Sequence, residues 1–254
     1  MNVWVTGATS GLGKGLVLAL AEQGHHVIAS ARNREALKSL EAISENISSV
    51  ACDISDESQV ESLTKQLSDI SPQLDRIFLN AGSCEYLDFP EPDWSAAKRL
   101  METNYLGTLN CLRAALPLLR KSKTARPHIV TIASQATAAP FPRAEVYGAS
   151  KAALQYFFAS LRIDLASENI DVTVVNPGFV DTPLTRKNDF DMPFIMTVDE
   201  ASSRILKNIE SRPRTYSFPR RLSALLAISK IMPSLWQKLV TAEPGKKPQE
   251  SLEK

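Results

Sequence analysis

The feature that most constrains this chain is a regular alternation of short apolar runs with helix-like segments, starting at its first residues. Residues 3–5, 26–31, 47–52, 76–79, 129–133, 171–175 and 216–218 read as strands. Helical patterns occupy 16–23, 35–45, 56–70, 93–121, 145–167 and 198–211, with Asp56 placed to cap the third and a break expected near Asn104. The strand runs are largely apolar throughout rather than alternating, which is the mark of strands covered on both faces. Strands separated by helices pair in parallel through right-handed crossovers. The pattern predicts an α/β chain, a doubly wound Rossmann fold with helices on both faces of a parallel sheet.

The 254 residues fit one domain, expected over 1–242 with a substrate loop near 183–200, followed by a charged, flexible tail at 243–254. A hydrophobic share of 44% with 22% charged residues excludes a disordered or fibrous chain. Twenty-nine Lys and Arg against 28 Asp and Glu leave a charge of +1, too little to hold nucleic acid. Cys52, Cys84 and Cys111 are odd in number and form no CxxC pair, which favours a reducing, cytoplasmic setting. No basic segment followed by an apolar core opens the chain, and no run approaches the roughly 18 apolar residues of a membrane span.

The first strand runs straight into Thr6-Gly7-Ala8-Thr9-Ser10-Gly11-Leu12-Gly13 and then a helix. A helix N-terminus offers unpaired amides and partial positive charge to a phosphate, and glycines let the backbone approach it closely. The spacing is TGxxxGxG. Asp53-Ile54 follows the third strand, Asn80-Ala81-Gly82 the fourth and Ser134 the fifth. Tyr147 and Lys151 form a YxxxK pair 13 residues after Ser134, and Pro177-Gly178, Val180 and Thr182 follow the sixth strand. This ordered set resembles the short-chain dehydrogenase/reductase family over about residues 2–185. The resemblance implies a seven-stranded sheet of order 3-2-1-4-5-6-7 and a nicotinamide cofactor held by these segments, Thr6 to Gly13 included.

Tyr147 and Lys151, four residues apart on one helix, share a face. A tyrosine ordinarily ionises near pH 10, and a neighbouring cation is expected to pull it down towards the working pH of a general acid/base. By resemblance, Tyr147 exchanges the proton with a carbonyl or alcohol oxygen and Ser134 positions that oxygen. Lys151 also holds the cofactor ribose, and Asn104 supports a proton-relaying water. The expected activity is interconversion of a carbonyl and an alcohol by hydride transfer. The alternative on the same fold is a non-catalytic nucleotide sensor or scaffold, which has no need of a proton donor. His25, His26 and His128 lack metal-ligand spacing and are expected in surface loops. Cys84 either borders the site or packs beside it.

The second strand ends Ala29-Ser30-Ala31-Arg32. An acid there would bond the ribose hydroxyls of NAD(H); Ala31 followed by Arg32 favours NADP(H), because a guanidinium clamps a 2′-phosphate. Beyond Thr182 the chain looks like a bacterial branch whose members mostly have no assigned substrate. Phe190, Met192, Phe194, Ile195 and Met196 form an apolar pocket wall or else simply core beneath a loop. The first alternative suits an uncharged substrate. Residues 219–241 mix apolar runs with Arg220, Arg221, Lys230 and Lys238. Packing on the domain or on a second subunit is the expected role, with contact to an anionic membrane surface as the other reading. The family's habits imply a homo-oligomer.

Overall fold

The structure, a computed structural model, describes residues 1–241. Seven parallel strands form one sheet: β1 (Asn2–Thr6), β2 (His26–Ala31), β3 (Ile47–Ala51), β4 (Arg76–Leu79), β5 (His128–Ile132), β6 (Asp171–Pro177) and β7 (Thr215–Phe218). Their order is β3-β2-β1-β4-β5-β6-β7, as expected. The reversal beside β1 opens a crevice at the carboxyl ends of the strands, where open α/β sheets take their ligands.

Strand alternation divides the core. Trp4, Ile28, Ile77 and Ile129 face one side, where α3 (Glu57–Ile70), α5 (Gly107–Leu119) and α6 (Glu145–Asp164) bring Leu63, Leu67, Leu112 and Phe158 against them. Val3, Val5, Val27 and Val130 face the other, under Leu16 and Leu20 of α1 (Gly11–Glu22), Leu37 of α2 (Arg34–Glu41) and Ile205 of α7 (Val198–Ile209). Burial on both faces is why the strands read as continuous apolar runs.

Several element ends differ from expectation for local reasons. The first helix starts at Gly11, because the glycine segment itself forms its first turn. Asp56 does cap α3, accepting from the Ser58 amide. Helix α6 stops at Asp164 and tightens into a 3₁₀ turn over Leu165–Glu168, closed by Asn169 at φ 55°. Its buried stripe is Ser150, Lys151, Leu154 and Phe158, while Phe157 and Leu161 are only half-buried. The expected break near Asn104 is a π-helical segment, Glu102–Leu106, between α4 (Ser95–Met101) and α5.

His128 corrects the surface-loop expectation. It is fully buried in β5, with Nε2 2.9 Å from Thr173 Oγ1. Burial, and then the charges of Arg76, Arg212 and Arg126, depress its pKa to about 3. His26 opens β2, half-buried against Ser48. Residues 219–241 fold as α8 (Arg220–Ile231) and α9 (Pro233–Thr241), whose Leu222, Leu226 and Trp236 pack on Ala139 of the same chain. The tail expected at 243–254 lies outside the described residues.

Candidate active site

A cleft of about 650 Å³ runs across the carboxyl ends of the central strands. Its floor is built by two loops locked together. Thr6 Oγ1 accepts from the amides of Asn80 (3.0 Å) and Ala81 (3.1 Å). Asn80 Nδ2 donates to the carbonyls of Thr6 (3.0 Å) and Gly7 (3.3 Å). Gly7 has φ 66°, a conformation that favours glycine, and a Cβ on Gly13 would come within 2.1 Å of the Gly7 oxygen. Thr6 and Gly13 therefore lie beneath the loop rather than on the cleft wall. Gly7, Ser10, Gly11 and Leu12 line the wall itself, and so do Asn80, Ala81 and Gly82.

The N-terminus of α1 receives no side-chain cap from Ser10, unlike that of α2, where Asn33 accepts from Ala36 N. The first turn of α1 thus turns uncapped amides toward the cleft. Opposite stands Thr182, within 3.1 Å of where a Gly11 Cβ would sit. Pro177, Gly178 and Val180 continue that wall. A narrow cradle with uncapped amides and no room for Cβ atoms fits a nucleotide phosphate.

At the end of the cleft beside β2 and β3, Arg32 and Asp53 both line the wall with Ile54, and they face each other at 3.8 Å. The Arg32 side chain is 78% exposed, so its long contact with Asp53 restrains it little. A more open groove of about 780 Å³ between β3 and α3 shares Arg32 and Asp53 but touches neither the glycine loop nor Tyr147.

Ser134, Tyr147 and Lys151 meet on the far wall, with Ala133 and Ile132 beside them. Ser134 leaves β5 and caps the turn Gln135–Thr137, its Oγ accepting from Ala136 N at 3.0 Å. Lys151 is buried and donates from Nζ to the Ile132 carbonyl at 3.0 Å. Burial lowers its pKa to about 8. Burial raises that of Tyr147 to about 12, opposed by a hydrogen bond with Ser134. This overturns the expectation that Lys151 would pull Tyr147 down. Burial is the largest cause for both groups, and Lys151 is not among the groups that shift Tyr147.

Asn104 is fully buried and does not reach the cleft wall. Its Oδ1 accepts from Ser83 N (2.8 Å), and its Nδ2 donates to Ser83 O (2.9 Å) and Ser150 Oγ (3.0 Å). A Cβ on Gly82 would lie 3.2 Å from both Asn104 Oδ1 and Lys151 Nζ, so the asparagine holds the loop after β4 against α6.

The substrate side differs from the sequence expectation. Phe194 and Ile195 are exposed, and Met196 is buried in a bridge with Val180. Of that group, Phe190 takes part in an aromatic cluster, edge-on to Tyr86 (6.3 Å) and Phe179 (6.0 Å). Sequence reasoning missed Tyr86 and Arg143. The Arg143 guanidinium lies 4.9 Å from the Tyr86 ring centre and pairs with Asp88 (2.5 Å) and Asp189 (2.8 Å), joining three loops. Neither residue belongs to a spaced motif, so no local signal marks them. Cys84 is partly buried, its thiol raised in pKa by burial. No group of three potential metal ligands occurs among the described residues. Nor is any of their helices long and apolar enough to cross a membrane.

Comparison with known proteins agrees with this architecture. An uncharacterized oxidoreductase of Myxococcus xanthus is 33% identical over 234 residues, covering 91% of this chain and 92% of that protein. The 11-beta-hydroxysteroid dehydrogenase 1A of Arabidopsis thaliana is 32% identical over 194 residues, 74% of this chain and 54% of that one. A short chain dehydrogenase from Burkholderia cenocepacia, solved in complex with NADP, superposes with a TM-score of 0.81 at 28% identity, covering 96% of this chain and 98% of its own. The sequence profile of the short chain dehydrogenases matches residues 1–192. With the sheet order and cleft described above, the chain belongs to the short chain dehydrogenase family and is an oxidoreductase.

Proposed function

We propose that this protein is an NADP(H)-dependent oxidoreductase that interconverts a carbonyl and an alcohol, with Tyr147 as the general acid/base. The observation that carries the reading is the convergence of Ser134, Tyr147 and Lys151 on one cleft wall, facing an uncapped helix N-terminus across the cavity. The glycine loop, Asp53, Ile54, Asn80 to Gly82, and Pro177 to Thr182 would hold NADP(H), which when bound gives or takes the hydride. A phenol held near pKa 12 is protonated at neutral pH, so Tyr147 is poised to donate to a carbonyl oxygen. Ser134 supplies a second hydrogen bond to the same oxygen, and buried Lys151, with its pKa near 8, returns the proton to the phenol. Asn104 acts as the clamp that keeps Lys151 and the loop after β4 in register. NADP(H) rather than NAD(H) is supported by Arg32 at the cleft rim, with no acid at Ala31.

The proposed substrate is a small uncharged carbonyl compound. The aromatic trio Tyr86, Phe179 and Phe190 offers apolar surface, while Arg186 and Arg143 are already paired with Asp181 and Asp189. Tyr147→Phe keeps the ring and removes the proton donor. Turnover of a carbonyl panel with NADPH should fall roughly 10²- to 10⁴-fold while NADPH binding, read by fluorescence, persists. Undiminished turnover in that variant would remove Tyr147 from the mechanism.

A further inference from the structure

Between Glu210 and Glu243 the chain carries six Lys and Arg and no Asp or Glu, in a protein whose net charge is only +1. Four of these cations, Arg220, Arg221, Lys230 and Lys238, stand exposed on α8 and α9. The inner faces of the two helices bury Leu222, Leu226 and Trp236 against the domain. Their outer faces leave Leu225, Ile231, Met232, Leu235 and Leu239 in solvent, Ile231 at 79%. Exposed apolar side chains interleaved with cations, on helices already anchored from behind, are what a surface lying on an anionic bilayer requires.

We propose that α8 and α9 form a docking face for an anionic membrane surface. A second copy of this chain is the poorer occupant. A two-fold contact would set the patch against itself, bringing cations onto cations with no Asp or Glu within α8 or α9 to relieve them. A bilayer offers anionic headgroups to the four cations and acyl chains to the five apolar residues. The helices that carry the face also touch two segments that border the cleft, the one after Ser134 and the one at Gly178. Trp236 Nε1 donates to Pro140 O (2.8 Å) and Ser229 Oγ to Ala138 O (3.2 Å), both in the segment that follows Ser134. Leu222 packs so close to Gly178 that a Cβ there would meet it at 2.6 Å. Docking through this face sets the substrate side of the cleft close to the lipid, where apolar carbonyl compounds concentrate.

The test needs no turnover, so its outcome is separate from that of the redox reading. The full chain is sedimented with large phosphatidylcholine vesicles with and without phosphatidylserine. Binding is expected to the phosphatidylserine vesicles and to weaken as salt rises. Each lysine or arginine at an anionic surface strengthens binding roughly five-fold, so combined Arg221→Glu, Lys230→Glu and Lys238→Glu should weaken it by about 100-fold or more. Ile231→Ser with Leu235→Ser and Leu239→Ser should remove the part of binding that survives high salt. All six residues are exposed, and unchanged thermal unfolding confirms that each variant is folded. No partition to anionic vesicles at low salt overturns the proposal, as does equal sedimentation of parent and charge-reversed protein. A dimer seen by light scattering in the parent and dissolved by the serine variant also overturns it, assigning the face to a second copy.

Discussion

Replacing Asn104 by alanine separates a clamp from a proton relay. Three side-chain hydrogen bonds at 2.8–3.0 Å tie Asn104 to both backbone groups of Ser83 and to Ser150 Oγ. A hydrogen bond contributes roughly 0.5–1.5 kcal/mol net, and a buried partner left unpaired costs about 1–3 kcal/mol. Asn104→Ala removes all three bonds and leaves the Ser83 amide and carbonyl without their partners, so a loss of about 3–5 kcal/mol of folding stability is expected. Gly82 packs against both Asn104 Oδ1 and Lys151 Nζ, so the released loop also disturbs the buried Lys151, the proposed proton carrier. Urea unfolding measures the first effect and kcat the second. Asn104→Asp keeps the acceptor for Ser83 N but loses both donated bonds and adds a charge beside Lys151, so it too should destabilise. A stability loss below about 1 kcal/mol in Asn104→Ala, with kcat reduced all the same, would refute the clamp and favour a relay.

Other outcomes follow from the same geometry. Arg32→Asp should weaken NADPH by about 10- to 150-fold, the worth of a charged hydrogen bond, and NADH far less; equal weakening of the two in fluorescence titrations would show that Arg32 does not read the phosphate. In the reductive direction kcat should fall as pH rises through about 8, where Lys151 loses its proton, while Tyr147, near 12, stays protonated; a profile flat from pH 7 to 9 would remove Lys151 from the proton path. His128 takes up a proton near pH 6.5 when unfolded but only near 3 when folded, so the unfolded chain binds more protons in that window. Stability should therefore drop as pH falls below 6.5, by up to about 1.4 kcal/mol per pH unit. His128→Gln should flatten that acid limb in thermal melts, and an unchanged limb would assign acid sensitivity elsewhere.

Much of the fold is readable locally. Strands β2 and β4 begin and end where the apolar runs do, and Asp56 caps α3, because strand burial and capping are set by neighbouring residues. The order of the motifs brings the glycine loop, Ser134 and the Tyr147–Lys151 pair to one end of the sheet, since every strand in a parallel sheet ends on the same side. Spacing also finds the break at Asn104, though not that the break is a π-helical turn.

Tertiary structure decides what depends on distant partners. The Thr6–Asn80 lock, 74 residues apart in sequence, puts Thr6 and Gly13 beneath the floor rather than on it. Arg143 joins loops that no periodicity relates. His128 disappears into the core because β5 is central and its end is covered, which nothing in its local sequence announces. The pKa values of Tyr147 and Lys151 follow from the depth of their shared wall, and burial is a property of everything packed around a group, not of its place along a helix. Sequence alone therefore determines which chemistry is present and on which side of the sheet it gathers. Only the packed chain determines which of those groups face the cleft, which hold others in place, and in what charge state they wait.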